Sequence, residues 1–319
     1  MELSESKQPF PNTHTIAAAE QGRRAAVLLL CAKERIALPG VIASLLEDLQ
    51  AEVYHPSYEE QRPFTLHALL DRSSHLVAVA DEEFMKQPGM LFALGYAAGR
   101  NMPVHLFLPE GSEPPEYPKS AARTKSLHEL EEGMRAELCR WEREQVRLSA
   151  VATLAERGIP VTEEGLALTV SRGNIEELEF FFQAGFSPDT ISGRGTPLLC
   201  IAVRAGHDEM VHLLIRRGAA VNAVSRDRGN TALMDAAAEN NTGLVRVLIE
   251  AGSSLDIQSK NGQSALILAV GQKRIEISRL LLEAGADPDL KDHLGMSARS
   301  YAELFKLEEL LPLMNSSRA

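Results

Sequence analysis

Four stretches of this chain decide its architecture: Phe180–Asp189 (FFFQAGFSPD), Leu213–Asn222 (LLIRRGAAVN), Val247–Asp256 (VLIEAGSSLD) and Leu280–Asp289 (LLLEAGADPD). Their glycines, Gly185, Gly218, Gly252 and Gly285, fall 33, 34 and 33 residues apart. A second marker keeps the same period. Thr196-Pro197-Leu198, Thr231-Ala232-Leu233, Ser264-Ala265-Leu266 and Ser297-Ala298-Arg299 recur at 35, 33 and 33. Self-similarity at this spacing marks a stack of small units, each unable to bury its own apolar face.

Each unit has a physical logic. Thr or Ser supplies an oxygen to cap a helix, and Pro197 suits the first helical position. The small residues Ala202, Ala236, Ala237 and Ala269 let neighbouring first helices pack closely. The second helix carries Leu178/Phe181/Phe182, Val211/Leu214, Val245/Leu248 and Ile277/Leu281 at spacings that make one buried stripe. The closing glycine can take the left-handed conformation that ends a helix.

This pattern resembles the ankyrin repeat over roughly half the chain. It predicts an all-α ankyrin solenoid at 159–319 with about five units, the first (Glu163 to Asp189) and last (Ser297 to Met314) degenerate caps. Leu199, Met234 and Ile267 stand where the family's Thr-Pro-Leu-His motif has His, which puts its inter-repeat hydrogen bonds in question. The resemblance implies a protein partner met on loop tips and exposed first-helix positions. Candidates are Arg194, Arg226, Arg228, Lys260, Lys291 and His293 on loops, with Arg204, Asp235, Glu239, Gln272 and Lys273 on helices. His207 and His212 are five apart, a spacing that does not put both rings on one helix face, so no metal site is expected there.

Upstream the periodicity changes. Ala25–Cys31, Leu76–Ala80 and Val104–Leu108 are continuous apolar runs of the kind buried parallel strands show. Short strands are expected at Glu52–His55 and near Arg123–Lys125. Helices are expected at Pro39–Leu49 (with Val41, Leu45 and Leu49 inward), Phe64–Leu70 and Met90–Arg100. The alternation predicts a flavodoxin-like, doubly wound parallel sheet at 24–135, the whole chain being multidomain. Its ligands would sit at the carboxyl ends of the strands. Leu127, Leu130, Met134, Leu138, Trp141, Leu148 and Val151 then mark a helix running to about Glu156, whose 136–158 part connects the domains. Trp141 onward is expected to cap the first repeat; alternatively the stripe is a dimer seam.

The segment Met90-Leu-Phe-Ala-Leu-Gly-Tyr96-Ala-Ala-Gly-Arg-Asn-Met-Pro-Val104 resembles the nucleoside 2-deoxyribosyltransferase family, as does the approach from Asp71 to Ala80. Members of that family cleave the N-glycosidic bond with a Glu on this helix, and Ala93 holds the matching position here. A methyl group is no nucleophile. The resemblance therefore implies a pseudoenzyme, with Cys31, Lys33, Asp81, Ala93 and Tyr96 left as a nucleoside or nucleotide pocket. The alternative is an enzyme acting on the N-glycosidic bond through Glu34 or Asp81, targeted by the repeats. No glycine-rich phosphate loop follows the first strand.

Composition bounds the rest. The net charge is −11, and Lys/Arg against Asp/Glu runs 17 to 23 over residues 1–160 and 16 to 21 over 161–319. Neither half is basic, so nucleic acid and anionic membrane are not the expected partners. Cys31, Cys139 and Cys200 have neither metal nor disulfide spacing, and no cofactor motif stands out. The first twenty residues do not read as a signal peptide, and the longest apolar run is eight. A cytoplasmic protein with a disordered 1–23 segment is the expectation.

Overall fold

The computed structural model describes residues 24–31, 38–57, 63–81, 84–109 and 118–316. The expected disordered 1–23 segment, and Lys33, Glu34, Glu82 and Glu83, lie outside them. The chain divides into two compact units, Met1–Ser149 and Ala150–Ala319.

The first unit runs β1 (Ala26–Cys31), α1 (Leu38–Asp48), β2 (Glu52–Tyr54), α2 (Pro63–Arg72), β3 (His75–Val79), a 3-10 turn (Phe84–Lys86), α3 (Pro88–Gly99), β4 (Val104–Phe107), β5 (Ala122–Thr124) and most of α4 (Leu127–Glu156), whose last residues belong to the second unit. All five strands are parallel, in the order β2-β1-β3-β4-β5. Successive side chains of a strand point to opposite faces, and here both faces are covered. Leu28, Leu30, Leu76, Ala78 and Leu106 pack with Leu66 and Leu70 of α2 and Met90 and Leu94 of α3. Val27, Leu29, Val77, Val79 and Phe107 pack with Ile42 and Leu46 of α1 and Leu130, Met134 and Leu138 of α4. Coverage on both faces is why these strands read as unbroken apolar runs.

Two expectations shift. The buried stripe of α1 is Ile42 and Leu46, one residue round from the expected one, and Val41 faces water at 48% exposure. Trp141 itself packs on the sheet. Its ring stands edge-on to His75 of β3, 6.1 Å between centroids, so it belongs to the sheet's core. Leu154, three turns and more further on, is the α4 residue that enters the core of the second unit.

The sheet face under α4 also holds two histidines that the sequence did not single out. His75 is fully buried and His105 nearly so. His75 Nδ1 meets Ser74 Oγ at 2.8 Å, but His75 Nε2 and His105 Nδ1 find no hydrogen-bond partner among the described residues. Burial, reinforced by His105, pushes the His75 pKa down to about 4. Burial also lowers that of His105, against the pull of Glu137.

The second unit is five helix pairs: α5 (Glu163–Arg172) with α6 (Ile175–Gln183), α7 (Leu198–Ala205) with α8 (Asp208–Arg216), α9 (Ala232–Ala238) with α10 (Thr242–Glu250), α11 (Ala265–Gly271) with α12 (Ile275–Glu283), and α13 (Ala298–Leu304) with α14 (Leu311–Ser316). Each first helix packs on the next first helix. One continuous core results, from Leu154 and Leu166 at one end to Leu310 and Met314 at the other. Ala202, Ala236, Ala269 and Ala302 have no exposed surface, as close approach of the first helices requires.

The caps correct the sequence register by one residue. Thr231, Ser264 and Ser297 accept the N–H groups of Met234, Ile267 and Ser300, at 3.3, 3.3 and 3.2 Å. Their counterpart in the first regular repeat is Pro197, which sits at the cap with extended backbone and no side-chain cap bond. Thr196 is thus one place too early, and the true spacing is 34, 33 and 33. The residue standing where the expected motif has His is then Cys200, not Leu199. Its thiol approaches the Ala223 and Asn230 carbonyls at 4.0 and 3.9 Å. Burial, and then the negative charge of Asp235, push that thiol's pKa up to about 12.

Candidate functional site

Between helix pairs the chain extends into a finger, and one set of bonds closes every tip. Ser192, Ser225, Ser259 and Asp292 each donate a backbone N–H across the turn, to the carbonyls of Thr196, Asn230, Gln263 and Met296 at 2.9–3.0 Å. The side chains of the same four accept the returning N–H of the same partners at 3.0–3.2 Å. A small oxygen-bearing residue at the start of the tip is therefore a structural need.

Neighbouring tips are laced together. Arg226 N–H donates to Gly195 O at 2.7 Å, Lys260 N–H to Arg228 O at 3.0 Å, and His293 N–H to Asn261 O at 3.1 Å. Gly229 shows why the approach is so close: its φ is +73°, and a Cβ there would lie 2.7 Å from Lys260 N. A second row runs beneath. Asp189, Asn222 and Asp256 accept the N–H of Ala220, Ser254 and Asp287, one repeat further on, at 2.6, 2.8 and 2.9 Å. These two rows supply the inter-repeat bonding that the missing histidines had put in question.

The second finger, Ser225 to Asn230, is one residue longer than the others, and the insertion has its own anchor. Arg204 at the end of α7 donates from Nε to Asp235 at 2.6 Å and from Nη1 to Asp227 at 2.7 Å. Its Nη2 reaches Ser225 Oγ at 3.2 Å. Asn230 Nδ2 supplies Asp235 with a second donor at 2.7 Å. Arg204 hydrogen bonds hold the Asp227 carboxyl well below the usual range. Burial pushes Asp235 the other way, against the pull of Asn230 and Arg204.

This arrangement sorts the candidate residues. Arg194, Arg226, Arg228, Lys260, Lys291 and His293 are all exposed on the finger tips. Glu239 and Gln272 are exposed at the ends of α9 and α11; Lys273 follows with its Nζ 5.1 Å above the Phe305 ring. Asp235 is no surface residue: it is 2% exposed, and with the half-buried Arg204 it braces the second finger from inside. Asp227, Asn230 and Ser225 complete that brace. The one-residue excess in spacing was the signal that could have found them.

Of the residues expected to line a nucleoside pocket, Cys31 and Asp81 follow neighbouring strands to the same carboxyl edge of the sheet, and Tyr96 does not join them. Cys31 ends β1, with its Sγ 3.5 Å from His55 Nε2. Asp81 follows β3 and accepts the Phe84 N–H at 2.9 Å. Ala93 has no exposed surface and lies in the core between α3 and the sheet. Tyr96 is at the opposite edge. Its hydroxyl donates to Asp71, which also binds Arg100, just before the starts of β3 and β4. Lys33 lies outside the described residues. Among the described residues no group of three or more His, Cys, Asp and Glu could hold a metal, and no helix is long and apolar enough to cross a membrane.

Comparison with known families bears on the repeat unit. The family model described as ankyrin repeats in three copies matches residues 166–259 and again 199–292. These residues are ankyrin repeats. A Treponema pallidum (strain Nichols) protein described as ankyrin repeat-containing is 40% identical over 197 residues, 61% of this chain and 66% of its own length. That match is longer than the whole span from Ala150 to Ala319, so it reaches back beyond the ankyrin unit. A Danio rerio protein named as the palmitoyltransferase ZDHHC13 is 34% identical over 99 residues, 31% of this chain and 15% of its own. The chain therefore spans just under two thirds of the first relative and a small part of the second.

Proposed function

We propose that this chain is a protein-interaction adaptor whose working surface is the row of ankyrin finger tips and the exposed ends of the first helices. The observation that carries this reading is the lacing of the tips. Backbone N–H groups, glycines at positive φ and the Arg204 brace all hold the fingers in a fixed row while Arg194, Arg226, Arg228, Lys260 and Lys291 remain exposed. A surface ordered in advance loses less entropy when a partner arrives. A photo-crosslinking amino acid replacing Arg194 or Lys260, in the full chain in its own cells, should give discrete protein adducts. The same residue replacing Arg216, on the outer helix α8, should not. Equal labelling from both places, or none from the fingers, refutes the reading.

For the first unit we infer a flavodoxin-like, doubly wound domain, related in its α3 segment to the nucleoside 2-deoxyribosyltransferases and acting as a platform without their catalysis. The strand order β2-β1-β3-β4-β5 supports the doubly wound class. Burial of Ala93, and its packing against the sheet, supports the loss of the nucleophile's place. The three free cysteines fit a reducing, cytoplasmic setting. Purified protein should release no free base from a nucleoside panel. Release that is lost in Asp81→Asn or Glu34→Gln would establish the enzyme instead.

A further inference from the structure

Several arginines on the helices of the ankyrin unit are ion-paired. Arg157 meets Glu176 at 2.7 Å, Arg299 meets Asp289 at 2.7 Å, and Arg217 meets Glu179. Arg246 and Arg279 reach Glu276 and Glu309 at 3.8 and 3.9 Å. Among the described residues none of Arg194, Arg226, Arg228, Lys260 and Lys291 forms a side-chain ion pair, although all are exposed; Arg228 acts on Asp235 only through its charge, and Lys260 Nζ donates to the Arg226 carbonyl. The carboxylates of the fingers are held by neighbouring groups. Asp227 is taken by Arg204, and Asp292, 6% exposed, accepts from Leu294 N, Met296 N and the Tyr301 hydroxyl. A protein of net charge −11 thus presents one continuous row of cations, tip against tip.

We propose that this ridge docks an acidic segment of the partner protein, an extended stretch of Asp and Glu side chains running across the fingers. The inference rests on the adaptor reading above and deepens it by naming the partner's chemistry. Guanidinium groups bind carboxylates through two parallel N–H donors, which rewards a fixed row of them. Between the cations stand aliphatic side chains open to water: Ile191 and Val224, each 46% exposed, and Leu294 at 81%. Aliphatic contacts suit the side chains of a peptide. Single-stranded nucleic acid is instead held by aromatic platforms on which bases stack, and the tips from Ile191 to Thr196, Val224 to Asn230, Ile257 to Gln263 and Leu290 to Met296 contain no Phe, Tyr or Trp. A long polyanion would also meet the acidic surface of the rest of the chain.

The test uses the full chain and a fluorescein-labelled Asp/Glu-rich peptide, followed by fluorescence anisotropy at low salt and at about 0.15 M. The double reversal Arg226→Glu/Lys260→Glu should weaken binding roughly tenfold or more, and added salt should weaken binding of the natural chain. The reversal Arg216→Glu/Lys306→Glu changes the net charge equally, off the ridge, and should leave affinity within about twofold. Thermal melts of both variants verify that the fold is kept. Binding indifferent to the ridge reversal, or equal binding of a neutral or basic peptide, overturns the proposal. So does tighter, ridge-dependent binding of a single-stranded oligonucleotide. Should fingertip photo-crosslinking still capture a protein after such a result, the adaptor reading stands and only the acidic chemistry falls.

Discussion

Replacing Arg204 by Met keeps the length of the side chain and removes the cation that is hydrogen-bonded to Asp235. That carboxylate is 2% exposed, and it would keep only the Asn230 amide as a side-chain donor. Removing one member of a buried pair typically costs about 3–5 kcal/mol, because the other charge is stranded. Arg204 retains 22% exposure and Asp227 40%, which lets water reach part of the site. The lower end, about 3 kcal/mol, therefore applies. For a unit of this size that is a fall in Tm of roughly 6–12 °C. Helix loss in urea, followed by circular dichroism, reads it as a lower midpoint at unchanged slope. Two controls separate the mechanism from generic damage. In the other repeats Asp235 is matched by Ile201, Leu268 and Tyr301, so Asp235→Leu gives the position an ordinary apolar occupant. The double variant Arg204→Met/Asp235→Leu should recover most of the loss, since an apolar pair strands no charge. Near pH 4 the Arg204→Met penalty should shrink, because protonation of Asp235 removes the stranded charge. A single variant costing under about 1 kcal/mol, or a double variant no better than the single, refutes the reasoning.

Three other outcomes follow from the same geometry. Gly229→Ala forces an L residue to φ +73° and drives its Cβ against Lys260 N; it should cost about 2–3 kcal/mol in a urea melt, whereas a cost near zero would mean the tips are not laced. His75 is neutral in the fold with its pKa near 4 against 6.5 unfolded. Its contribution of about 3 kcal/mol is complete above pH 6.5 and is lost as pH falls through 4, so the first unit should weaken between those values. Fluorescence of the single tryptophan, Trp141, whose ring lies 6.1 Å from His75, reports this unfolding, and His75→Phe should flatten the pH dependence. Alkylation of the native chain at pH 8 should modify the exposed Cys139 and spare Cys200, which is buried with its thiol pushed up to about 12; prompt labelling of Cys200 would contradict its packing.

How far the residues announced this structure depends on which force set each feature. Burial patterns were legible. The strands are covered on both faces, so Ala26–Cys31 and His75–Val79 could hardly read otherwise, and the second-helix pairs at Val211/Leu214 and Val245/Leu248 lie fully in the core. Register was less legible, since a period fixes spacing and not phase. Thr196-Pro197 resembles Thr231-Ala232 letter for letter at its first position, yet the glycine before each cap aligns Pro197 with Thr231 and moves the extra residue into the second finger. Polar networks were the least legible, because a charged letter does not say which way its side chain turns. Asp235 reads as a surface candidate and Asp227 does not stand out, and only three-dimensional proximity to Arg204 shows one buried and the other anchored.

That pairing of Asp227 with Arg204 is what gives the ridge its sign. The second finger contains two arginines and one aspartate, an almost balanced composition, but Arg204 takes up the Asp227 carboxylate and leaves Arg226 and Arg228 exposed without a side-chain ion pair. Arg204 thus acts on recognition without being on the ridge: it fixes the inserted residue and removes the one acid that would neutralise the tip. Its loss should release Asp227 toward Arg226 and Arg228 and weaken acidic-peptide binding even at temperatures where Arg204→Met remains folded. Asp227→Asn should act oppositely, raising affinity by sharpening the positive charge while lowering the melting temperature. If the two variants moved peptide affinity in the same direction, the finger's charge would not be set from beneath, and the ridge would be no more than a row of solvated cations.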